Sequence, residues 1–491
     1  MNGSLTVVGS TVTTENILAG SGNATASFSS ALLQLPTNVV VVDTLLIDGF
    51  ASGNVVIGSG GLTVGTRGGN AQIGSPLSGA GSLTKTGAGR LRLDTANTYA
   101  GGTTVEGGVL ELTGNSNLGA GNVTLSGGEL RAFTNSTVSG NLGSGIQLVS
   151  VAAGQTGTFS ALAGQTLTLA PLDFLLVAGS TMQVGSAGNT GNVVFAPTGA
   201  AALAADTAIN VAAGTLTAGN NELGFMTSIA ASTTVASGAT LNFQDNLSSG
   251  GINALFGGGT VNIGTNPATT LAINSGNFAG NIAGSGALLK QSAGTLTLSG
   301  QNAFIGGTTV DAGTLLVNGD LSFGLGEATV NSGGTLGGTG LLGVITLSGG
   351  VVSPGTSPGT LTAQSLFWES GTLRFELGPT PATSDQLILT SQLVGLALPS
   401  GPYTFDFVDA GWSTNTTYDL ITFNLNDIDV SNFNYSNGGG FSGTFSTNST
   451  TLQFTVLTVP EPGTISLLAC AAVVGVLLLM QKGRRKRPTT H

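Results

Sequence analysis

Short stretches in which apolar and polar residues alternate recur along nearly the whole chain, and glycines separate them. In one example, "SLTK" and "RLRLD" place alternate leucines on one side of an extended backbone. The alternation predicts that Leu83, Leu91 and Leu93 point inward. No helical period of useful length precedes residue 464, so the pattern predicts an all-β body. Glycines supply the turns in this stretch, at Gly79, Gly81, Gly87 and Gly89.

Two segments of the chain match each other without a gap at an offset of 205 residues. Gly79–Leu112 and Gly284–Val317 are identical at 16 of 34 positions, and both contain "GGTTV". An ungapped match of this length indicates an internal structural repeat. The aligned landmarks are Lys85 and Lys290, Asn97 and Asn302, and Tyr99 and Phe304.

A looser motif, "GTL" or "GTV", indicates the size of one structural unit. Spacings of 19, 21 and 25 residues between its copies suit one coil of about three short strands. The chain lacks the domain-length periods that an array of β-sandwiches would need. We therefore predict a right-handed parallel β-helix, a solenoid, over residues 1–381, with the inward Leu and Val of each coil stacked on those of the next.

The two aligned segments resemble the autotransporter-associated β-strand repeat of bacterial passenger domains. The resemblance rests on about 34 residues at 79–112 and again at 284–317. The stretch from Gly333 to Thr362, with "SPGTSPG" near its end, resembles sequence that often follows such repeats. The resemblance implies an exported or surface-displayed β-solenoid.

Residues 382–458 differ from the rest because aromatic residues are concentrated there. "YTFDFVD" and "LQFTV" alternate, so we predict a small β-domain or a cap that closes the last coil. A carbohydrate-binding role for Trp412 and the nearby tyrosines is the alternative to packing in the cap.

The C-terminal segment contains the longest apolar run of the chain. Thr464–Met480 has no charged residue and is just long enough for a single transmembrane helix. Positive flanks stay on the cytoplasmic side, so residues 1–459 are predicted to face outward. A buried core helix followed by a solvated charged run is the alternative. The predicted cytoplasmic stop follows directly, at Lys482, Arg484, Arg485, Lys486 and Arg487.

"VPEP" at residues 459–462 precedes this run, and the order of the three parts resembles the PEP-CTERM protein-sorting signal. The resemblance covers residues 459–491 and makes Pro460, Glu461 and Pro462 the sorting motif. It implies that an exosortase-type membrane protease recognises the motif and removes the tail. The two prolines hold the segment extended, as a protease cleft requires.

The predicted location is a bacterial membrane, with the body exported and, after processing, at the cell surface or outside the cell. The opening residues show neither a basic n-region nor an apolar h-region, so no signal peptide is visible. We expect the natural start, and further coils, to lie upstream of Met1.

Charge narrows the choice of partners. Only 7% of the residues are charged, and the formal net charge is −11 although five of the twelve Lys and Arg residues lie in the tail. Nucleic-acid binding needs clustered Lys and Arg residues on the body of the protein. The body has too few of them, so we predict no nucleic-acid partner. The predicted partners are the membrane, the sorting protease and, as a candidate, exopolysaccharide.

Few residues of the chain could take part in catalysis or bind a metal ion. His491 is the only histidine and Cys470 the only cysteine, and both lie in the C-terminal segment. This argues against a Ser-His-Asp triad and a His- or Cys-based metal site in the body. Acidic pairs remain, Asp406 with Asp409 and Asp427 with Asp429, and we interpret them as solvated faces rather than catalytic or Ca²⁺-binding groups. We predict no cofactor and no bound metal.

The leading hypothesis is a non-catalytic structural or adhesive β-solenoid, associated with exopolysaccharide or biofilm matrix. The second is a glycan-binding protein or polysaccharide-degrading enzyme on the same scaffold. The third is a membrane-anchored protein of the same fold that is never processed.

Overall fold

The structure, a computed structural model, describes residues 3–20, 23–37, 43–139, 148–171, 173–198, 201–204, 206–218, 232–244, 250–322, 327–356, 358–394, 403–423, 430–437 and 440–457. Within these ranges the regular structure is β-strand, apart from two single 3-10 turns at Pro381–Thr383 and Val430–Asn432. The predicted all-β class is confirmed.

Forty-six strands are described, and most are short because a turn follows every three to six residues. The first part of the chain forms β1 (Ser4–Val8), β2 (Thr11–Thr13), β3 (Ile17–Leu18), β4 (Thr25–Ser29), β5 (Ala31–Gln34), β6 (Asp43–Asp48), β7 (Val55–Ile57), β8 (Leu62–Gly65), β9 (Asn70–Ile73), β10 (Leu77–Ser78), β11 (Leu83–Thr86), β12 (Arg90–Leu93), β13 (Thr103–Val105), β14 (Val109–Leu112), β15 (Val123–Leu125), β16 (Glu129–Ala132) and β17 (Ser136–Ser139).

The middle part forms β18 (Leu148–Val151), β19 (Thr156–Ala161), β20 (Thr166–Ala170), β21 (Asp173–Leu176), β22 (Thr181–Val184), β23 (Asn192–Phe195), β24 (Ala201–Leu203), β25 (Ala208–Val211), β26 (Thr215–Ala218), β27 (Ser232–Val235), β28 (Thr240–Phe243), β29 (Gly250–Gly257), β30 (Thr260–Ile263), β31 (Thr270–Phe278), β32 (Asn281–Gly284), β33 (Ala287–Leu298) and β34 (Ala303–Phe304).

The last part contains the longest strands. It forms β35 (Thr308–Val317), β36 (Asp320–Leu321), β37 (Ala328–Asn331), β38 (Gly334–Gly338), β39 (Leu341–Pro354), β40 (Thr360–Leu377), β41 (Gln386–Val394), β42 (Tyr403–Asp409), β43 (Thr416–Thr422), β44 (Phe433–Asn437), β45 (Ser442–Thr447) and β46 (Thr451–Leu457).

The strands wind in coils that stack in parallel register. Each strand pairs with its counterpart one coil later, about 20 residues along the chain: Leu83 lies opposite Thr103, and Leu288 lies opposite Thr308. Four sheets result: sheet 1 is β1-β4-β7-β10, sheet 2 runs from β2 to β24, sheet 4 runs from β17 to β34, and sheet 3 holds the remaining strands. A parallel β-solenoid is therefore the architecture of the described body.

The core lies inside the coils and consists of in-register aliphatic and aromatic columns. In sheet 3, Leu91, Leu110, Leu130 and Phe159 lie opposite one another on four successive coils, and all are buried. The predicted inward positions Leu83, Leu91 and Leu93 are confirmed, since none of the three side chains is exposed. No coil buries this surface alone, so stability depends on stacking.

Glycine is required where consecutive coils approach most closely. A Cβ at Gly81 would collide with the carbonyl oxygen of Gly58 in the preceding coil. Gly87 has a φ of +79°, a left-handed conformation that side chains with a Cβ disfavour. The tight turns between short strands follow from these positions.

The C-terminal described residues continue the stack and then change direction. Strands β41, β42 and β44 still pair in parallel, and Phe405 of β42 lies between Leu373 and Tyr435. Strand β46 then pairs antiparallel with both β43 and β45.

The predicted transmembrane helix, Thr464–Met480, lies outside the described residues. Among the residues that are described, no helix has the length and apolar character needed to cross a membrane.

Candidate functional site

Each aligned repeat carries one lysine whose side chain lies inside the solenoid. The Nζ of Lys85 donates hydrogen bonds to the carbonyl oxygens of Thr86 (2.9 Å), Gly87 (2.8 Å) and Gly107 (3.0 Å). Gly107 belongs to the next coil, so the ammonium group ties two coils together. Lys290 repeats the arrangement, because its Nζ donates to the carbonyl oxygens of Ser292 and, at 2.9 Å, Ala312.

Alternation explains why these lysines point inward. Lys85 is two residues after the inward Leu83, and both side chains are fully buried. An ammonium group has three donors and no acceptor, which suits a turn where carbonyl oxygens converge. Burial lowers the pKa of Lys85 to about 8 and also lowers the pKa of Lys290. A lysine of lowered pKa can act as a nucleophile, but complete burial denies these two amines a substrate.

The repeated asparagines join coils in a similar way from positions between the strands. The Oδ1 of Asn97 accepts from the backbone N–H of Leu77 at 2.7 Å, and its Nδ2 donates to the carbonyl oxygens of Thr95 and Asn117. Asn302 accepts from the N–H of Ile282 at 3.0 Å in the same way. The lysine and asparagine landmarks of the repeat are therefore internal hydrogen-bonding groups that join coils.

Most charged side chains of the first repeat form one cluster on the outer face of sheet 3. The Nη1 of Arg90 lies 2.8 Å from Glu111 Oε1, and the Nη2 of Arg131 lies 2.6 Å from Glu111 Oε2. Glu111 is completely covered by these two arginines. We call the group the charged ladder, and its members are Asp43, Arg90, Arg92, Asp94, Glu111 and Arg131.

Coil stacking creates the charged ladder. Glu111 lies opposite Arg92 on one side and Arg131 on the other, one coil away in each direction. Arg92 also lies over the exposed ring of Phe133, with its guanidinium carbon 5.3 Å from the ring centroid. Sequence reasoning missed the ladder because its members are about 20 residues apart, although the cross-coil register could have suggested it.

The carboxylates on the outer face of sheet 3 form ion pairs with arginines or accept hydrogen bonds from neighbouring side chains. Glu129 accepts hydrogen bonds from Ser160 Oγ, from Ser186 Oγ at 3.1 Å and from Asn189 Nδ2 at 3.3 Å. A glycosidase needs one carboxylic acid and one free carboxylate on either side of a substrate. The ladder instead pairs its acids with arginines, an arrangement suited to holding coils together.

A further buried carboxylate, which sequence reasoning also missed, lies beside the "SPGTSPG" turn. The two oxygens of Asp385 accept from the backbone N–H groups of Gly359 and Glu376, each at 2.8 Å. Burial raises the pKa of Asp385 to about 6, and the nearby charge of Glu376 adds to the effect. Asp385 thus fixes the turn to the end of β40. No three His, Cys, Asp or Glu residues of the described ranges are grouped closely enough to hold a metal ion.

The aromatic residues of the C-terminal region pack against one another. Trp368 contacts Tyr403 and Phe405, with ring centroids 5.0 and 5.3 Å apart. Trp412, the candidate for carbohydrate binding, is half-buried and lies edge-on against Phe441, with centroids 5.0 Å apart.

The acidic pairs noted in the sequence are only partly described. Asp406 accepts hydrogen bonds from Arg374 Nε at 2.8 Å and Ser436 Oγ at 3.0 Å, whereas the side chain of Asp409 accepts from the nearby N–H of Gly411. Asp427 and Asp429 lie outside the described residues. So do the predicted sorting motif and basic tail, at Pro460, Glu461, Pro462, Lys482, Arg484, Arg485, Lys486 and Arg487.

Comparison with known proteins identifies the repeats. Residues 83–112 and 288–317 match the passenger-associated-transport-repeat family. The chain is also 38% identical over 112 residues to the protein "Adhesin BmaC autotransporter" of Brucella suis biovar 1 (strain 1330). That alignment covers 22% of this chain and 3% of the length of the relative. The prediction of passenger-type repeats is thereby confirmed.

Proposed function

We propose that this protein is a non-catalytic, surface-displayed or extracellular β-solenoid with an adhesive or structural role. The observation that carries the proposal is the continuous parallel stack, in which two coils belong to a passenger repeat family. The buried polar residues of these repeats bond to neighbouring coils, and the acids of the charged ladder are paired with arginines. Similarity to an adhesin supports adhesion as the role.

We propose in addition that the coil is right-handed, since parallel crossovers are right-handed in about 98% of cases. The antiparallel strands β45 and β46, with the aromatic cluster, act as a cap on the last coils. Exopolysaccharide of the biofilm matrix is the proposed partner of the displayed body.

The sorting proposal rests on residues 459–491. Pro460, Glu461 and Pro462 present an extended segment to an exosortase-type protease at the membrane, and the helix at 464–480 holds the chain there until cleavage. The basic residues 482–487 keep the tail inside.

Two measurements test these proposals separately. Deleting the gene in the bacterium that makes the protein should reduce attachment of whole cells to a polysaccharide-coated surface, and the full-length gene should restore it. Unchanged attachment would contradict the adhesive role. Intact-mass analysis of the protein released from cells tests sorting: a species that retains residues 464–491 would contradict processing, whatever the attachment result.

A further inference from the structure

The first coil of the solenoid is paired on one side only. Strand β1 pairs with β4, β2 with β5 and β3 with β6, and no strand within the described residues pairs with their other edges. The carbonyl of Gly3 and the N–H of Gly9 bond to the second coil. Since such bonds alternate along a parallel strand, the peptide groups of Thr6 and Val8 point to the open edge. This edge therefore offers backbone donors and acceptors to another strand.

The hydrophobic core is also uncovered at this end of the stack. Leu5 takes an inward position opposite Ala26 of the second coil, yet Leu5 is 38% exposed and Ala26 only 1%. Val12 and Ile17 are likewise only half-buried, although their partners one coil later are fully buried. Three inward columns thus end in apolar side chains that one further layer of strands would remove from water.

The opposite end of the stack is covered by the antiparallel strands β45 and β46. The ring of Phe445 in β45 lies 4.8 Å from that of Phe405, measured between centroids. The ring of Phe454 in β46 lies 4.4 Å from that of Phe407 in the same way. Phe405 and Phe407 are the inward residues of β42, and both are buried. The inward columns that end uncovered are therefore those of the first coil.

The open edge lacks the features that usually keep free strand edges apart. Charged side chains, above all lysine, together with prolines and bulges are the common protections of an exposed edge. Residues 1–42 contain one charged side chain, Glu15, and one proline, Pro36, and neither lies in β1, β2 or β3. These three strands also pair with the second coil without a register shift. The edge is therefore suited to contact with another uncharged strand.

A second copy of this chain matches the edge, because its own first coil offers the same uncharged strands and the same uncovered apolar side chains. A two-fold axis between the copies brings these strands together antiparallel, a pairing at least as stable per residue as the parallel one. We propose that two copies pair through β1, β2 and β3, which continues the coil stacking across the interface. The coils expected upstream of Met1 in a longer chain would occupy the same edge, so the proposal concerns the 491-residue chain.

Sedimentation equilibrium of the full chain in a density-matched detergent measures the mass of the assembly. The unaltered chain should sediment as a dimer that dissociates on dilution. Val8 is 65% exposed, and Val8→Lys should raise the dissociation constant by at least about tenfold, because a lysine then stands at the edge of each copy. Thr6→Pro removes a backbone donor from the edge, a change that edge strands tolerate, and should have the same effect.

Val56→Lys is the matched control. Val56 is an exposed valine of the same sheet, but its strand β7 pairs on both sides, with β4 and with β10. This variant should dimerise as the unaltered chain does. The circular dichroism spectra of the three variants show whether each solenoid is folded, so a loss of dimer can be separated from a loss of structure.

An unaltered chain that stays monomeric at every concentration would overturn the proposal. A dimer that both Val8→Lys and Thr6→Pro leave intact would overturn it as well, since the contact would then lie outside the first coil. Equal weakening of the dimer by Val56→Lys would show that the charge, and not its place at the edge, causes the effect. None of these outcomes depends on surface display, so the adhesive proposal is tested separately.

Discussion

At the turn after β11, the ammonium group of Lys85 donates hydrogen bonds to three carbonyl oxygens from two coils. The carbonyl of Gly107 is brought there by stacking, so this hydrogen bond forms only when both coils are folded. Burying the charge has a cost, which is recorded in the lowered pKa of Lys85. A lysine at this position therefore stabilises the stacking of two coils, and the desolvation of its charge offsets part of that stabilisation.

This balance predicts a dependence of stability on pH. The pKa of Lys85 is about 8 in the folded chain and 10.5 as its ordinary value, so the unfolded chain binds more protons between these pH values. The free energy of unfolding should therefore rise with pH across this window, by at most about 3 kcal/mol. Guanidinium unfolding of the full chain, followed by circular dichroism at several pH values, measures the slope.

Lys85→Met is the matched variant for this experiment because methionine keeps the apolar stem and removes the titrating group. The slope should decrease in this variant and should not vanish, since burial also lowers the pKa of Lys290. A slope that is the same in both proteins would show that Lys85 does not titrate in this window.

At the scale of the strand, each element is too short to be stable alone. Strand β14 has four residues, and its inward Leu110 packs between Leu91 and Leu130 of the adjoining coils. The hydrogen bonds of the strand likewise go to other coils. Truncation of one inward side chain should therefore weaken contacts with the coils on both sides.

Leu110→Ala tests this expectation. Removal of a buried leucine side chain costs about 2–5 kcal/mol in a core that cannot collapse around the cavity. We expect a clear fall in the guanidinium midpoint of unfolding. Val109→Ala is the control, since Val109 is the half-buried outward neighbour on the same strand. Equal effects of the two substitutions would contradict the inward column.

The sequence was informative about strands and much less so about the contacts between coils. Alternation correctly predicted that Leu83, Leu91 and Leu93 point inward, because that property is local to each strand. Alternation also places Lys85 on the inward side, but it could not predict which carbonyl oxygens the ammonium group would bind, nor the burial of Glu111 on the outer face. Both depend on groups about 20 residues away, Gly107 for the lysine and Arg90 and Arg131 for the glutamate, which only the register brings close.

At the scale of the whole molecule, the body has few Lys and Arg side chains on its surface for other proteins to contact. Before residue 458 the sequence contains seven Lys and Arg residues, and the structure describes all of them. Lys85 and Lys290 are fully buried. The body therefore presents no accessible lysine amine, and three of its five arginines belong to the charged ladder.

This distribution predicts that the folded body resists trypsin. The side chains of Arg90, Arg92 and Arg131 are 16, 18 and 15% exposed. Arg374 is 43% exposed, but it lies within β40, which pairs with neighbouring strands along its length. Arg67 lies in a tight turn closed by the hydrogen bond from Gly69 N–H to Thr66 O at 2.8 Å. A protease cleft needs an extended, locally unfolded segment, which none of these positions offers.

Incubation of the full chain in detergent with trypsin, analysed by intact mass, should therefore leave residues 1–457 in one piece and confine cleavage to the basic cluster at 482–487. Heat-unfolded chain treated in parallel should be cut after Arg67, Arg131 and Arg374, which confirms that the enzyme is active and the bonds are cleavable. Rapid cleavage of the folded chain after Arg67 or Arg374 would show that the coils there open readily, and the stack could not then be continuous in solution.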